Sequence, residues 1–284
     1  MTPDRGITGT VVDALGLLWR EARHWLPIVA VLAMIAALPE ALLQLYMPDP
    51  MAMISEVLEM DVDMLIAGLG AISILLMLQL VIQLLGLMFA FVILADLSAG
   101  RTPDVWAGLR RLASWKLQFA WLVAGLFEQT AISLWFLGGG LLLLPLGLAT
   151  TTAYEEDNGF TSFSRSIHLG MLEMGVAKPG TRIAVAVTLG FFVGFLVTAL
   201  ISLISCATSA ASAAPGLLEF YTALQLGEIP EIPASPAHRY GWLNVAMDLV
   251  LAPLGMLPTV FMMTVQQMTY WQARRFEAAS AAAP

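Results

Sequence analysis

The sequence predicts an all-α polytopic membrane protein: six transmembrane helices paired as three hairpins, each preceded by a cytoplasmic interfacial amphipathic helix. Three observations carry this. Apolar residues make up 59% of the 284 positions and charged residues 12%, whereas soluble domains carry about 25% charge; lipid must therefore replace water over much of the surface. Six stretches approach the roughly 20 mostly apolar residues that a helix needs to cross the hydrocarbon. Finally, Lys and Arg fall on one side of that six-span layout. Arg5, Arg20, Arg23, Arg101, Arg110, Arg111, Lys116, Arg165, Lys178, Arg182, Arg274 and Arg275 share the side of the termini, and only Arg239 lies opposite. The positive-inside rule then puts both termini in the cytoplasm, in a bacterial inner membrane.

The whole chain reads as a single membrane domain, 1–284. Its first interfacial helix, 7–24, places Val11, Ala14, Leu15, Leu18 and Trp19 on one helical face, with Asp13, Arg20 and Arg23 elsewhere. It leads into span one, 26–46, interrupted by Pro39-Glu40. That stretch is too long for a cleavable signal and lacks a small-residue cleavage site. Span two, 64–95, measures roughly 48 Å as a helix and must tilt or project beyond the membrane. The second interfacial helix, 103–115, opens with Thr102-Pro103 as cap and first helical proline. It sets Trp106, Leu109 and Ala113 beside Arg110 and Arg111. Span three, 117–137, turns at Gly138-Gly139-Gly140 into a short span four, 141–154. The third interfacial helix, 160–175, carries Phe160, Phe163, Ile167, Met171 and Met174, flanked by Arg165 and His168. Span five covers 183–205, an outer loop runs over 206–241, and span six, 242–270, contains Pro253 and Pro258. Apolar stripes edged with bases suit helices lying among inner headgroups. Arg20, Arg23, Arg110, Arg111 and Arg165 are the expected contacts to anionic lipid.

Within this layout, Leu144-Pro145-Leu146-Gly147, Ala153-Tyr154-Glu155-Glu156, Gly159-Phe160, Ser164-Arg165-Ser166 and Leu169-Gly170 form a recognisable passage. It resembles the Pro-Gly, short helix, acidic, Ala-aliphatic-Arg-Ser passage of a bacterial family. That family comprises the membrane domains of glycerophosphoryl diester phosphodiesterases and their stand-alone six-span relatives. The amphipathic entry from Ala14-Leu15 to Trp25-Leu26 is also similar, and the resemblance covers roughly residues 8–205. The family's catalytic phosphodiesterase domain has no counterpart here. The resemblance implies a helical inner-membrane domain without a reaction of its own.

Ionisable groups inside a membrane are costly and so mark candidate sites. Glu128 and Asp248 lie at comparable depths from the outer boundary, roughly 13.5 and 10.5 Å by helical rise, and no span supplies a base to neutralise them. With Gln129 and Asn244 they make either an interhelical polar contact or a proton or cation site. Gly190 and Gly194 form a GxxxG that permits close helix packing. The outer methionines Met47, Met51 and Met53, among several carboxylates, are a candidate soft-metal site, though methionine also fills apolar interfaces.

The single cysteine, Cys206, excludes an intrachain disulfide and a cysteine metal cluster. No phosphate loop, dinucleotide fingerprint, HExxH or nucleophile elbow occurs, and no cofactor is implied. The formal charge of −8 is unevenly placed: the outer side is acidic, the inner side mildly basic, and no concentrated basic face for nucleic acid exists. The expected role is non-enzymatic, an accessory, scaffold or lipid-organising subunit. Its expected partners are inner-leaflet lipids and another membrane protein or a second copy of the chain. The alternative is a small transporter or permease component that couples protons or cations through Glu128 and Asp248.

Overall fold

The computed structural model describes residues 6–46, 62–114, 118–119, 121–123, 126, 130, 147–156, 161–174, 177–226 and 236–282. All regular structure among them is helical: α1 (Gly6–Arg20), α2 (Ala22–Tyr46), α3 (Val62–Ser98), α4 (Val105–Leu112), α5 (Ala149–Glu156), α6 (Thr161–Gly170), α7 (Pro179–Gln225) and α8 (Pro236–Ala281). Four of these helices are long and apolar enough to cross a membrane, over Ala22–Pro39, Ser73–Ser98, Pro179–Ile204 and Val245–Ala281. They coincide with expected spans one, two, five and six.

Of the expected span three the structure describes only 118–119, 121–123, 126 and 130, and of the first half of span four only Gly147. The described end of span four is α5, whose eight residues include three consecutive threonines and end in two glutamates. Such a helix is too short and too polar to cross a bilayer on its own. The expected outer loop differs as well, because α7 continues through 206–225 and α8 begins at Pro236. The physical reason is alanine, the strongest helix former, which recurs through 207–214 and carries the helix past the end of the apolar run. Both α7 and α8 start on a proline, where the missing N–H breaks no helical bond. The Pro39-Glu40 interruption does not end α2, which runs on to Tyr46.

The chain divides into two compact units. One, here the termini-bearing unit, comprises Met1–Ile28, Leu87–Gly194 and Leu257–Pro284; the other comprises Val29–Gly86 and Phe195–Met256. All the described short helices belong to the first. There α3 ends in a glycine cap: Gly100 adopts φ +73, and Arg101 N donates to Asp96 O while Gly100 N donates to Leu97 O. This 6→1 and 5→2 pair satisfies carbonyls the helix end would otherwise leave bare. The cap of α4 is Asp104, whose carboxylate accepts from Ala107 N at 2.9 Å. Helix α4 therefore starts two residues beyond the expected Thr102-Pro103. One residue separates α1 from α2, and Trp25 Nε1 closes that joint by donating to Leu18 O at 3.0 Å.

The faces that the three short helices turn inward are small or polar. Helix α1 buries Gly6, Thr10 and Ala14, α4 buries Gly108 and Leu112, and α6 buries Ser162, Ser166, Leu169 and Gly170. The large members of the expected stripes, Leu15, Trp19, Trp106, Ile167 and Met171, are exposed, whereas Ala14 and Met174 are buried. Small residues let backbones approach. At Gly108 a Cβ would stand 2.1 Å from Val92 Cγ1 and 2.8 Å from the Tyr154 hydroxyl. Two apolar clusters complete this unit. Leu148, Leu169, Ile183, Val187, Tyr270 and Ala273 form one, and Phe91, Val92, Ala95, Leu112, Ala153 and Tyr154 the other. Each buried Leu, Ile or Phe side chain contributes roughly 1.5–3 kcal/mol.

Among the described residues of the second unit, few side chains are buried and most of those are small. Val29, Ala33, Ala36, Gly86 and Leu251 are inside, and a Cβ at Gly86 would sit 3.3 Å from Leu32 Cβ. Its outward face carries Val31, Ile35, Ile74, Met77, Leu80, Phe195 and Leu203.

Candidate functional site: a buried polar hub

The C-terminal part of α8 is apolar in outline but studded with polar residues, from Thr264 through Gln266, Gln267, Thr269, Tyr270, Gln272 and Arg274 to Glu277. Thr264, Gln266, Gln267 and Thr269 are buried. Gln267 donates from Nε2 to Phe91 O at 3.0 Å and accepts from Ser98 Oγ at 3.5 Å, so it holds α3. Gln272 Oε1 accepts from Thr10 Oγ1 at 3.2 Å and from Arg182 Nη1 at 3.0 Å, joining α1 and α7. Arg182, 1% exposed, also donates to Met174 O at 3.3 Å and Ala177 O at 3.2 Å. Carbonyls and amide oxygens thus share in holding a charge that would be costly to bury alone.

Ion pairs extend the hub over α5 and α6. The two α5 glutamates divide the work. Glu155 receives both terminal nitrogens of Arg101, at 2.8 and 3.2 Å. Arg101 Nε donates to Asp96 Oδ1 at 2.9 Å, and Asp96 Oδ2 accepts from Asp104 N at 3.1 Å. Asp96 therefore staples the turn between α3 and α4, while Arg101 ties that turn to α5. Glu156 accepts from Arg165 Nε at 3.2 Å and from the Tyr270 hydroxyl at 3.1 Å, with Arg274 Nε at 3.4 Å. Arg165 reaches Glu277 through both terminal nitrogens, one at 2.6 Å. Arg274 and His168 approach the same carboxylate at 2.9 and 3.2 Å. Bidentate guanidinium–carboxylate pairs are among the stronger charge-assisted contacts. The hydrogen bonds to Glu277 outweigh desolvation and, with those to Glu156, raise the Arg165 pKa above its ordinary value. Around Arg101, burial lowers the pKa, but the contacts to Glu155 and Asp96 prevail and raise it. Two arginines also lie over aromatic rings, Arg101 on Trp271 and Arg111 on Tyr154, each 5.8 Å from the centroid.

Of the residues expected to carry function, the structure describes some and not others. Glu128, Gln129, Met47, Met51 and Met53 lie outside the described residues, and so do the side chains of Asn244 and Asp248. A Cβ at Gly190 would meet Met262 Cγ at 2.8 Å, and one at Gly194 would meet Pro258 Cγ at 3.5 Å. Both glycines thus face α8. The five expected lipid-contact arginines separate. Arg165 is paired with Glu156 on α5 and Glu277 on α8. Arg20, Arg23, Arg110 and Arg111 are exposed, and no carboxylate among the described residues pairs with them.

Sequence reasoning missed the hub itself, although Arg182 at the head of an apolar run and the glutamines within the last span were signals of it. Among the described residues no group of three or more His, Cys, Asp or Glu could hold a metal ion. Chemically, the arrangement is a network of ion pairs and hydrogen bonds that fixes helices to one another, with Thr269 Oγ1 and Trp271 Nε1 buried beside it without a hydrogen-bond partner. Comparison with known proteins finds no family model, no curated protein and no solved structure that matches the chain.

Proposed function

We propose that this chain is a non-enzymatic, multi-pass protein of a bacterial inner membrane, with both termini in the cytoplasm, acting as an accessory or lipid-organising subunit. The observation that carries this reading is how the termini-bearing unit spends its polar groups. The described charged groups of the hub are matched to one another or to amide and carbonyl oxygens, and Leu15 and Trp19 of α1, Trp106 of α4 and Ile167 of α6 point away from it. A matched network of this kind favours one rigid arrangement of helices over chemistry on a bound substrate. The uneven distribution of Lys and Arg supports cytoplasmic termini. The resemblance of residues 8–205 to phosphodiesterase membrane domains supports a membrane module with no reaction of its own.

The test is to purify the full chain from bacterial membranes in mild detergent and to reconstitute it in liposomes. The expected result is co-purification with a membrane-protein partner or a second copy, and no pH-dependent flux. Proton- or cation-coupled flux that disappears in the folded double variant Glu128→Gln, Asp248→Asn would overturn the reading in favour of a transporter.

A further inference from the structure

The three short helices look alike in sequence, each an apolar stripe edged by bases. The structure separates them. The exposed Ile167 of α6 and Met171 just beyond its end have bases at hand, but Arg165 is held by Glu156 and Glu277 and His168 lies on Glu277. In α1 the exposed face carries Val12, Leu15 and Trp19 at i, i+3 and i+7, with Trp19 85% exposed. Arg20 and Arg23 follow at once, and no described carboxylate meets them. Helix α4 repeats the pattern, with Trp106 72% exposed, Arg110 four residues on along the same face, and Arg111 beside it.

Chain connectivity fixes where these faces lie. Helix α1 ends one residue before α2, whose apolar stretch starts at Ala22, and α4 starts six residues after the apolar stretch of α3 ends at Ser98. Both faces are thus tethered to the ends of helices that are long and apolar enough to cross a membrane, at the depth where indole rings and arginines are favoured. The inward faces, Gly6, Thr10 and Ala14 of α1 and Gly108 and Leu112 of α4, are already packed. What remains for the outward faces is an occupant apolar at one level and negatively charged at the next.

We propose that α1 and α4 are anionic-phospholipid sites, in which Trp19 and Trp106 enter the acyl boundary and Arg20, Arg23, Arg110 and Arg111 hold phosphate headgroups, while α6 is an apolar anchor with no headgroup preference. Each arginine near a membrane surface adds attraction of about fivefold in association with anionic lipid, and four of them in two clusters give selectivity well above that of an uncharged helix. The proposal rests on the membrane reading above and deepens it by naming the lipid class and the helices that select it.

The test reconstitutes the full chain in phosphatidylcholine vesicles and compares the fraction of spin-labelled phosphatidylglycerol and spin-labelled phosphatidylcholine immobilised at its surface. The wild-type chain is expected to prefer phosphatidylglycerol. The variant Arg20→Gln, Arg23→Gln, Arg110→Gln, Arg111→Gln is expected to lose that preference by about fivefold or more, with its thermal midpoint lowered only by loss of the Arg111–Tyr154 contact. Arg165→Gln is expected to do the reverse, with preference retained and midpoint lowered. A quadruple variant that folds and keeps the preference overturns the proposal, as does loss of the preference in Arg165→Gln alone. Should the quadruple variant unfold, the pairs Arg20→Gln, Arg23→Gln and Arg110→Gln, Arg111→Gln are measured separately, and an undiminished preference in both overturns it equally. In each of these outcomes the chain still resides in the bilayer, so the proposal can fail while the membrane reading stands; failure of the reading itself shows as a chain that does not incorporate into vesicles.

Discussion

The termini-bearing unit and its counterpart are cut largely from the same long helices, yet they solve opposite problems. The buried polar residues that the structure describes, from Thr10 and Asp96 through Ser162, Ser166 and Arg182 to Gln266, Gln267 and Thr269, all belong to the termini-bearing unit. Among its described residues, the second unit buries Val29, Ala33, Ala36, Gly86 and Leu251 and turns Ile74, Leu80 and Phe195 outward. One is held by directional bonds among side chains. The other has small contact residues, and its large side chains are left for lipid, which gives them no less than a protein interior would. The contrast teaches that a single helix can change its mode of attachment along its length. In α8, Leu251 packs by shape, whereas Gln267, Gln272 and Glu277 attach by hydrogen bonds and ion pairs.

Substitutions can break this contrast or sharpen it. The largest expected effect is Arg182→Met. It removes the donor to Gln272 Oε1, Met174 O and Ala177 O in a buried setting, and each acceptor left short of a donor should cost about 1–3 kcal/mol, read as a lowered thermal midpoint in detergent. Arg182→Lys keeps the charge but not the planar fork, so it should recover only part of that loss. Next comes Gly108→Ala, which drives a methyl group against Val92 and Tyr154; its expected cost is about 1–3 kcal/mol, measured the same way. Glu277→Gln is smaller, because Arg165 and Glu277 are both partly exposed; roughly 1 kcal/mol is expected, and the loss should shrink at high salt. Smallest is Phe195→Leu in the second unit. This side chain is 68% exposed, so the midpoint in lipid should stay within about 0.5 kcal/mol of wild type. A large loss there would show that Phe195 is covered by something other than lipid, and the contrast would fall.

How much of this was legible in the sequence follows from the range of each signal. The four described spans were legible because hydropathy is a sum over neighbouring residues. The extension of α7 to Gln225 was not, because reading stopped where the apolar run stopped, although alanine sustains a helix without it. The start of α4 was misplaced by two residues because Thr102 and Asp104 are both competent caps, and the choice was made by Asp96, whose carboxylate binds Asp104 N from eight residues upstream. Arg165 shows the limit most clearly. Its local surroundings, Phe163 and Ile167, read as a membrane-surface stripe, but its partner Glu277 is 112 positions away. Nothing local encodes that distance. The hub likewise joins several residues of α8 to partners on α1, α3, α5, α6 and α7, so no window of sequence contains it.

The central claim is that directional polar contacts, concentrated on the C-terminal part of α8, hold the termini-bearing unit and leave the second unit to lipid. Amide hydrogen exchange of the full chain in lipid nanodiscs, wild type against Arg182→Met, tests it directly. Faster exchange in α1, in the first turns of α7 and over 257–281 of α8, with 29–46 and 62–86 unchanged, is the predicted result. Acceleration spread evenly over both units, or none in α1, would contradict it.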